Sequence, residues 1–340
     1  MLKRTIIFLI MMTALISITT DKAYSVTAVP QSTNDVNLPA IETVDNPEIT
    51  DVINKVSFRD KFKKSPETQI NNFFKKFAKY SQKNNIEKLK EMYSDDYINN
   101  DGFSKTAVFK MMEMSGNSYK NVKYDIKVLD SAINGNYAVA TIQENATGET
   151  TKPVEKFNGT GSVKSEIIYT NYLRKEGADW KITNSYILKE NVELKYGEAK
   201  ESVITLSAPD CVSAGSEYEV TMNAKTPEGV FIVGSITNEP IVLPQVINKE
   251  VFRSVKNETL VRVIKANTEG NNEYATASLA ITRAQVEPNS VVINMTGMAF
   301  VMRRINVMPL NKNIIIKEEV SNAATAKKNR ANQTTKKRSN

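Results

Sequence analysis

The sequence predicts an α+β domain followed by an all-β sandwich, on three observations. Residues 65–115 repeat apolar side chains at helical spacing, residues 121–188 alternate apolar with polar side chains, and residues 200–316 hold about seven short alternating runs separated by turn signals. Helices followed by long strands give an α+β order. Short strands at even spacing, with no helical stripe among them, read as a β-sandwich.

Residues 1–25 precede these elements and read as a secretory signal. Lys3 and Arg4 form a basic start, an apolar stretch runs from Thr5 to Ile18, and Ala23-Tyr24-Ser25 offers small residues for cleavage. The stretch is too short for a spanning helix, which needs about 20 residues. Residues 26–64 hold Pro30, Pro39 and Pro47 among many polar residues, the composition of a disordered linker.

The α+β domain is expected over 65–195. Ser65 can cap a first helix with Pro66 at its first position. Ile70, Phe73, Phe74, Phe77 and Tyr80 then recur at i, i+3, i+4, i+7. Asn84-Asn85 breaks that helix. Ile86, Leu89, Met92 and Tyr93 suggest a second, and Ser104 can cap a third that carries Val108, Phe109, Met111 and Met112. From Val122 the period falls to two. Strands are expected at 122–128, 137–142, 167–173 and 180–188, while the polar segment 143–164 reads as either an extended hairpin or a loop.

This succession resembles the nuclear transport factor 2-like fold, also called SnoaL-like, over about residues 66–190. The resemblance rests on the 70–80 helix, the short second helix followed by Asp101-Gly102, the third helix, the long strands and the closing Gly177-Ala-Asp-Trp180-Lys-Ile182. It implies a cone: three helices on a curved antiparallel sheet, with a pocket at the wide end. Enzymes of that family use Asp and Tyr, or His and Asp, in this cavity.

The sandwich is expected over 196–316. Ser207-Ala-Pro209 and Val212-Ser-Ala-Gly215-Ser-Glu-Tyr218-Glu-Val220 are similar to the opening of bacterial immunoglobulin-like modules. Residues 317–340 read as a basic disordered tail.

Composition narrows the chemistry. The chain has no histidine and one cysteine, Cys211. A Ser-His-Asp triad, a Cys-His dyad, an HExxH site and a Cys/His zinc cluster are excluded within one chain. No Walker A or dinucleotide fingerprint is present, and no cofactor or metal is expected. A lone cysteine forms no internal disulfide and is expected to be buried as a small apolar residue. Of the net charge of +7, the first 25 residues carry +2 and the last 20 carry +6, so the remainder is close to neutral at −1. That argues against a folded nucleic-acid-binding surface.

The implied wide-end pocket is the main candidate site. Alternation from Trp180 places Ile182, Asn184 and Tyr186 on one face, with Tyr124, Tyr137 and Tyr172 as co-liners. These residues would either wall a small apolar ligand or simply fill the core. Asp125 is expected to face solvent, and Glu144 and Glu166 border the polar segment, so no base stands out. Met295, Met298, Met302 and Met308 read as core filler rather than copper ligands. In the tail, Lys327, Lys328, Arg330, Lys336, Lys337 and Arg338 either contact anionic envelope polymers or keep the terminus soluble. The chain therefore reads as an exported, non-catalytic binding or scaffold protein of the bacterial envelope. Its partner would be a small apolar ligand or an envelope protein, and a homodimer is left open. The alternative is an isomerase- or dehydratase-type enzyme with an Asp/Tyr pocket.

Overall fold

The computed structural model describes residues 66–157, 159–244, 248–287 and 290–309. The expected signal, linker, Ser65 cap and basic tail lie outside them.

Helix α1 (Pro66–Gln82) buries Ile70, Phe73, Phe74 and Phe77 in one stripe. Each such side chain contributes about 2–3 kcal/mol by leaving water. Asn84 ends the run with a φ of +53°. Helix α2 (Ile86–Lys90) is capped by Asn85, whose side chain accepts from the Lys88 amide at 3.1 Å. It is shorter than the sequence suggests, because Tyr93 opens a strand instead, β1 (Tyr93–Asn99). Helix α3 (Lys105–Ser115) starts at Ser104 as expected, with the hydroxyl accepting from the Ala107 amide.

Four long strands follow: β2 (Tyr119–Asn134), β3 (Tyr137–Thr150), β4 (Ser162–Glu176) and β5 (Asp179–Gly197). The polar segment 143–164 thus belongs largely to an extended hairpin. Strand β5 is interrupted twice. Its pairing with β4 steps from Tyr172–Asn184 to Leu173–Ile182 and from Ile168–Lys189 to Tyr169–Ile187, which leaves Thr183 and Leu188 as extra residues. Such bulges bend a strand and reverse which side chains face inward.

The second half contributes β6 (Val203–Ser207), β7 (Cys211–Ser213), β8 (Glu217–Lys225), β9 (Phe231–Pro240), β10 (Arg253–Ser254), β11 (Thr259–Lys265), β12 (Glu273–Glu287) and β13 (Ser290–Met308). The last of them, β13, is a single long strand with Thr296 as an extra residue against β12.

These strands form two sheets. Strands β11, β8 and β6 make the smaller one. The larger runs β10-β9-β12-β13-β5-β4-β3-β2, with β1 beside β5 and β7 beside β13. It crosses the division expected at 195/196 without a break, because β13 pairs with β5 from Gly297–Gly197 to Arg303–Asn191. At that crossing, a Cβ on Gly197 (φ +54°) would lie 2.1 Å from the Thr296 carbonyl oxygen, and one on Gly297 would lie 2.5 Å from the Ala199 nitrogen. Only glycine permits this approach.

The large sheet carries two cores on opposite faces. Val192–Met302 and Leu194–Phe300 lie on the face covered by the helices. One residue along, Val301 and Ala299 point the other way, into the core under the three-stranded sheet with Ala277, Leu279 and Met222. Among the described residues the fold is therefore mostly β, with three α-helices backing one half of the sheet and a small second sheet backing the other. Over β2 to β5 the face opposite the helices has no covering layer among the described residues.

Candidate functional site

The five pocket candidates do not converge on a cavity. Tyr124 lies opposite Ala146 on the covered face, where it packs against the helix-side core; its backbone amide donates to the Gln82 side-chain oxygen at 3.0 Å. The other four lie on the uncovered face. Tyr137 and Tyr172 alternate with the buried Ala138, Ala140, Asn171 and Leu173, so both side chains point outward. Asn184 and Tyr186 were expected to follow Ile182 inward, but the extra residue at Thr183 reverses the alternation, and Ser185 takes the inward place. Asp125 is exposed and paired with Lys127 at 2.9 Å. Cys211 is exposed rather than buried, because in its three-residue strand Val212 is the side chain turned inward.

The inward face holds a different constellation, built largely from residues that the sequence reading did not select. Glu144 of β3 and Glu190 of β5 flank Ile167 in one cross-strand row. Tyr169 donates to Glu144 at 3.0 Å, and Tyr274 of β12 donates to Glu190 at 2.8 Å. Beside them Arg304 of β13 forms a two-pronged ion pair with Asp101, in the turn after β1; Nη1 lies 3.1 Å from Oδ2, and Nη2 meets Oδ1. Both of these side chains have 0% exposure. The Arg304 Nε donates to Asn306 at 3.0 Å, and Asn272 donates to Asp101 at 2.8 Å. Asn99 fixes the turn itself by accepting from the Asp101 and Phe103 amides. Further along the face, Ser185 donates to Asn171 at 2.6 Å.

The electrostatics follow from this crowding. Burial pushes the Glu190 carboxyl up from its ordinary 4.5 to about 7, against the attraction of Arg304 and the Tyr274 hydrogen bond. Asp101 and Glu144 add to the rise, since like charges oppose ionisation. Burial likewise raises the Tyr97 hydroxyl to about 12, although Ser185 hydrogen-bonds to it.

A carboxyl poised near neutrality beside a tyrosine has the chemistry of a proton-transfer pair. Its setting here is that of an interlock. Asp101, Glu144 and Glu190 come from the first half of the chain, Tyr274, Arg304, Asn272 and Asn306 from the second. Glu190 and Tyr274 are each 1% exposed. The signal for Glu190 was present in the sequence: Val192, Leu194 and Tyr196 continue its alternation past Leu188, where the strand had been expected to stop.

Among the described residues, no three or more Asp, Glu, Cys or His side chains are grouped to hold a metal ion, and no helix is long and apolar enough to cross a membrane. No protein-family model matches the chain, and no curated protein matches it. Among the solved structures that match, two are similar over 36% of this chain. One is a scytalone dehydratase candidate from Novosphingobium aromaticivorans DSM 12444, at 15% identity over 81% of that chain. The other is a hexachlorocyclohexane dehydrochlorinase (LinA) type 2, at 12% identity over 82% of that chain. Both have a TM-score of 0.30, too low a likeness to carry weight in assigning a function.

Proposed function

We propose that this chain is an exported, non-catalytic binding or scaffold protein of the bacterial envelope. In this reading a cone of the nuclear transport factor 2-like kind is fused through one sheet to an immunoglobulin-like sandwich. The carrying observation is that the buried carboxyls of the cone are occupied by the protein itself. Tyr274 holds Glu190, Tyr169 holds Glu144 and Arg304 holds Asp101. The sandwich strands β12 and β13 supply two of those three partners and close the place where a substrate would have to reach Glu190. The absence of histidine from the sequence agrees with this. The basic start and apolar stretch at 5–18 support export, and the six tail cations, Lys327 to Arg338, support retention on anionic envelope polymers.

The second reading, an isomerase- or dehydratase-type enzyme, is favoured by one observation: the Glu190 carboxyl lies near neutrality beside the Tyr274 hydroxyl. An assay of the mature protein with dehydratase, dehydrochlorinase and ketosteroid-isomerase substrates separates the two. The expected result is turnover at background, unchanged in Glu190→Gln. Turnover well above background that is lost in a folded Glu190→Gln variant would replace the scaffold reading with the enzymatic one.

A further inference from the structure

We infer that the free edge of β13 at Ser290–Thr296 pairs, antiparallel, with the same edge of a second copy of this chain. The contact adds a partner to the proposed function. It is remote from the buried carboxyls, so it stands whether or not the chain is catalytic.

The hairpin of β12 and β13 outruns its neighbours. Strand β9 reaches only to Phe231, opposite Thr282 of β12, and β5 reaches only to Gly197, opposite Gly297 of β13. Beyond those points the cross-strand pairs from Arg283–Asn294 to Glu287–Ser290 have no strand on either side among the described residues. A two-stranded ribbon is marginally stable in water by itself. One face of this one is apolar, with Ala284 opposite Ile293 and Val286 opposite Val291. Val286 is 82% exposed, Ile293 66% and Val291 62%. Scattered apolar residues need no explanation, but a contiguous open row on a projecting element marks an interaction surface.

The edges of the molecule differ in how they are guarded. The β12 edge carries Arg283 and Glu287, with Pro288 next in sequence. Charges and proline keep an exposed edge from pairing. Strand β2, at the other end of the large sheet, is guarded in the same way by Lys123, Asp125, Lys127 and Asp130. The β13 edge, Ser290-Val-Val-Ile-Asn-Met-Thr296, has neither charge nor proline, and β-branched side chains favour its extended form. Its outward N–H and C=O groups are a template for another strand.

Charge and reach identify the occupant. An uncharged strand meets its own copy without repulsion and offers no positive charge to a nucleic acid or an anionic lipid surface. The apolar run Ile314–Ile316 of the same chain cannot take the place. Strand β13 runs about 50 Å from Ile293 to Met308, and the stretch from Met308 to Ile316 spans at most about 28 Å. A two-fold axis centred on Ile293 sets Ile293 against its own copy and Val291 against Met295 of the copy, which carries the apolar face from one hairpin into the next. The edge is about 24 Å long and about 10 Å deep, or roughly 240 Å² from each partner. A tight complex takes about 800 Å², so the association is weak and reversible, with a Kd of about 100 µM.

Sedimentation equilibrium of the mature protein from about 10 to about 500 µM brackets that value and provides the test. Reductant is kept present so that the exposed Cys211 cannot cross-link chains. The expected result is a reversible monomer–dimer equilibrium. Ile293→Lys and Ile293→Glu should each weaken it about tenfold or more, because each sets like charges face to face. Mixed together, the two variants should associate again, because opposite charges then meet across the axis. Val286→Lys, on the same face but about 10 Å from the partner's edge, lies beyond the screening length and should change association less than about twofold. Circular dichroism matching the parent shows that the variants fold. A monomer throughout the range would overturn the inference. So would Ile293 variants that associate as the parent does, a mixture of them that stays monomeric, or an association lost with Val286→Lys, which would put the contact on the face and not on the edge.

Discussion

Arg304→Met is expected to destabilise the protein by about 3–5 kcal/mol, the cost of stranding one partner of a buried ion pair. The guanidinium is fully buried and grips both Asp101 oxygens while its Nε holds Asn306. Removing it leaves the Asp101 carboxylate in the core with the Asn272 amide and no cation. Lysine cannot supply the planar fork, so Arg304→Lys should recover only part of the loss. Pairing the change with Asp101→Asn should recover more, because the stranded charge is then gone. Guanidinium unfolding followed by Trp180 fluorescence measures all three variants. A loss below about 1 kcal/mol for Arg304→Met would mean that water reaches the pair.

Glu190→Gln carries the other large effect, and its sign depends on pH. The folded carboxyl titrates at about 7 and an unfolded one near 4.5. A raised folded-state value favours the protonated fold, so the associated stability is complete below about pH 4.5 and is lost as pH rises through 7. That difference corresponds to about 3 kcal/mol. Glutamine keeps a carbonyl oxygen for the Tyr274 hydroxyl and cannot ionise. The variant is therefore expected to be more stable than the parent at about pH 8, to match it near pH 5, and to lose most of the decline between them. The groups that face Glu190 are Arg304, Tyr274, Asp101 and Glu144, so a second variant, Glu144→Gln, should lower the titration point of Glu190. Denaturation midpoints at a series of pH values provide the check. A parent whose stability is flat over that window would show Glu190 to be ionised and solvated.

Local pattern made the elements readable, and pairing between distant segments hid the site. The phenylalanine stripe of α1, the Ser104 cap and the period of two after Val122 are properties of short windows, and each led to the right kind of element. Strand β1 escaped because Tyr93 to Asn99 become a strand only through parallel pairing with β5, some 90 residues away. The faces of Asn184 and Tyr186 escaped for a related reason. Thr183 is a bulge only relative to its β4 partner, and that extra residue turns the next side chains over until a second one, Leu188, turns them back. The buried cluster joins residues up to 203 positions apart, as between Asp101 and Arg304, so its charges read as surface charges in sequence. Even Cys211, small and apolar by type, is exposed because a three-residue strand has room to turn only one side chain inward.

The central claim is that the two halves form one body, joined by a continuous sheet and locked by Arg304–Asp101 and Tyr274–Glu190. The sole tryptophan, Trp180, reports on the first half, and the exposed sole cysteine, Cys211, accepts a fluorophore that reports on the second. Equilibrium unfolding of one labelled sample, read by both probes, tests the claim directly. The expected result is a single transition with coincident midpoints, both shifted together by Arg304→Met. Two separated midpoints, with Arg304→Met moving one and leaving the other in place, would contradict it.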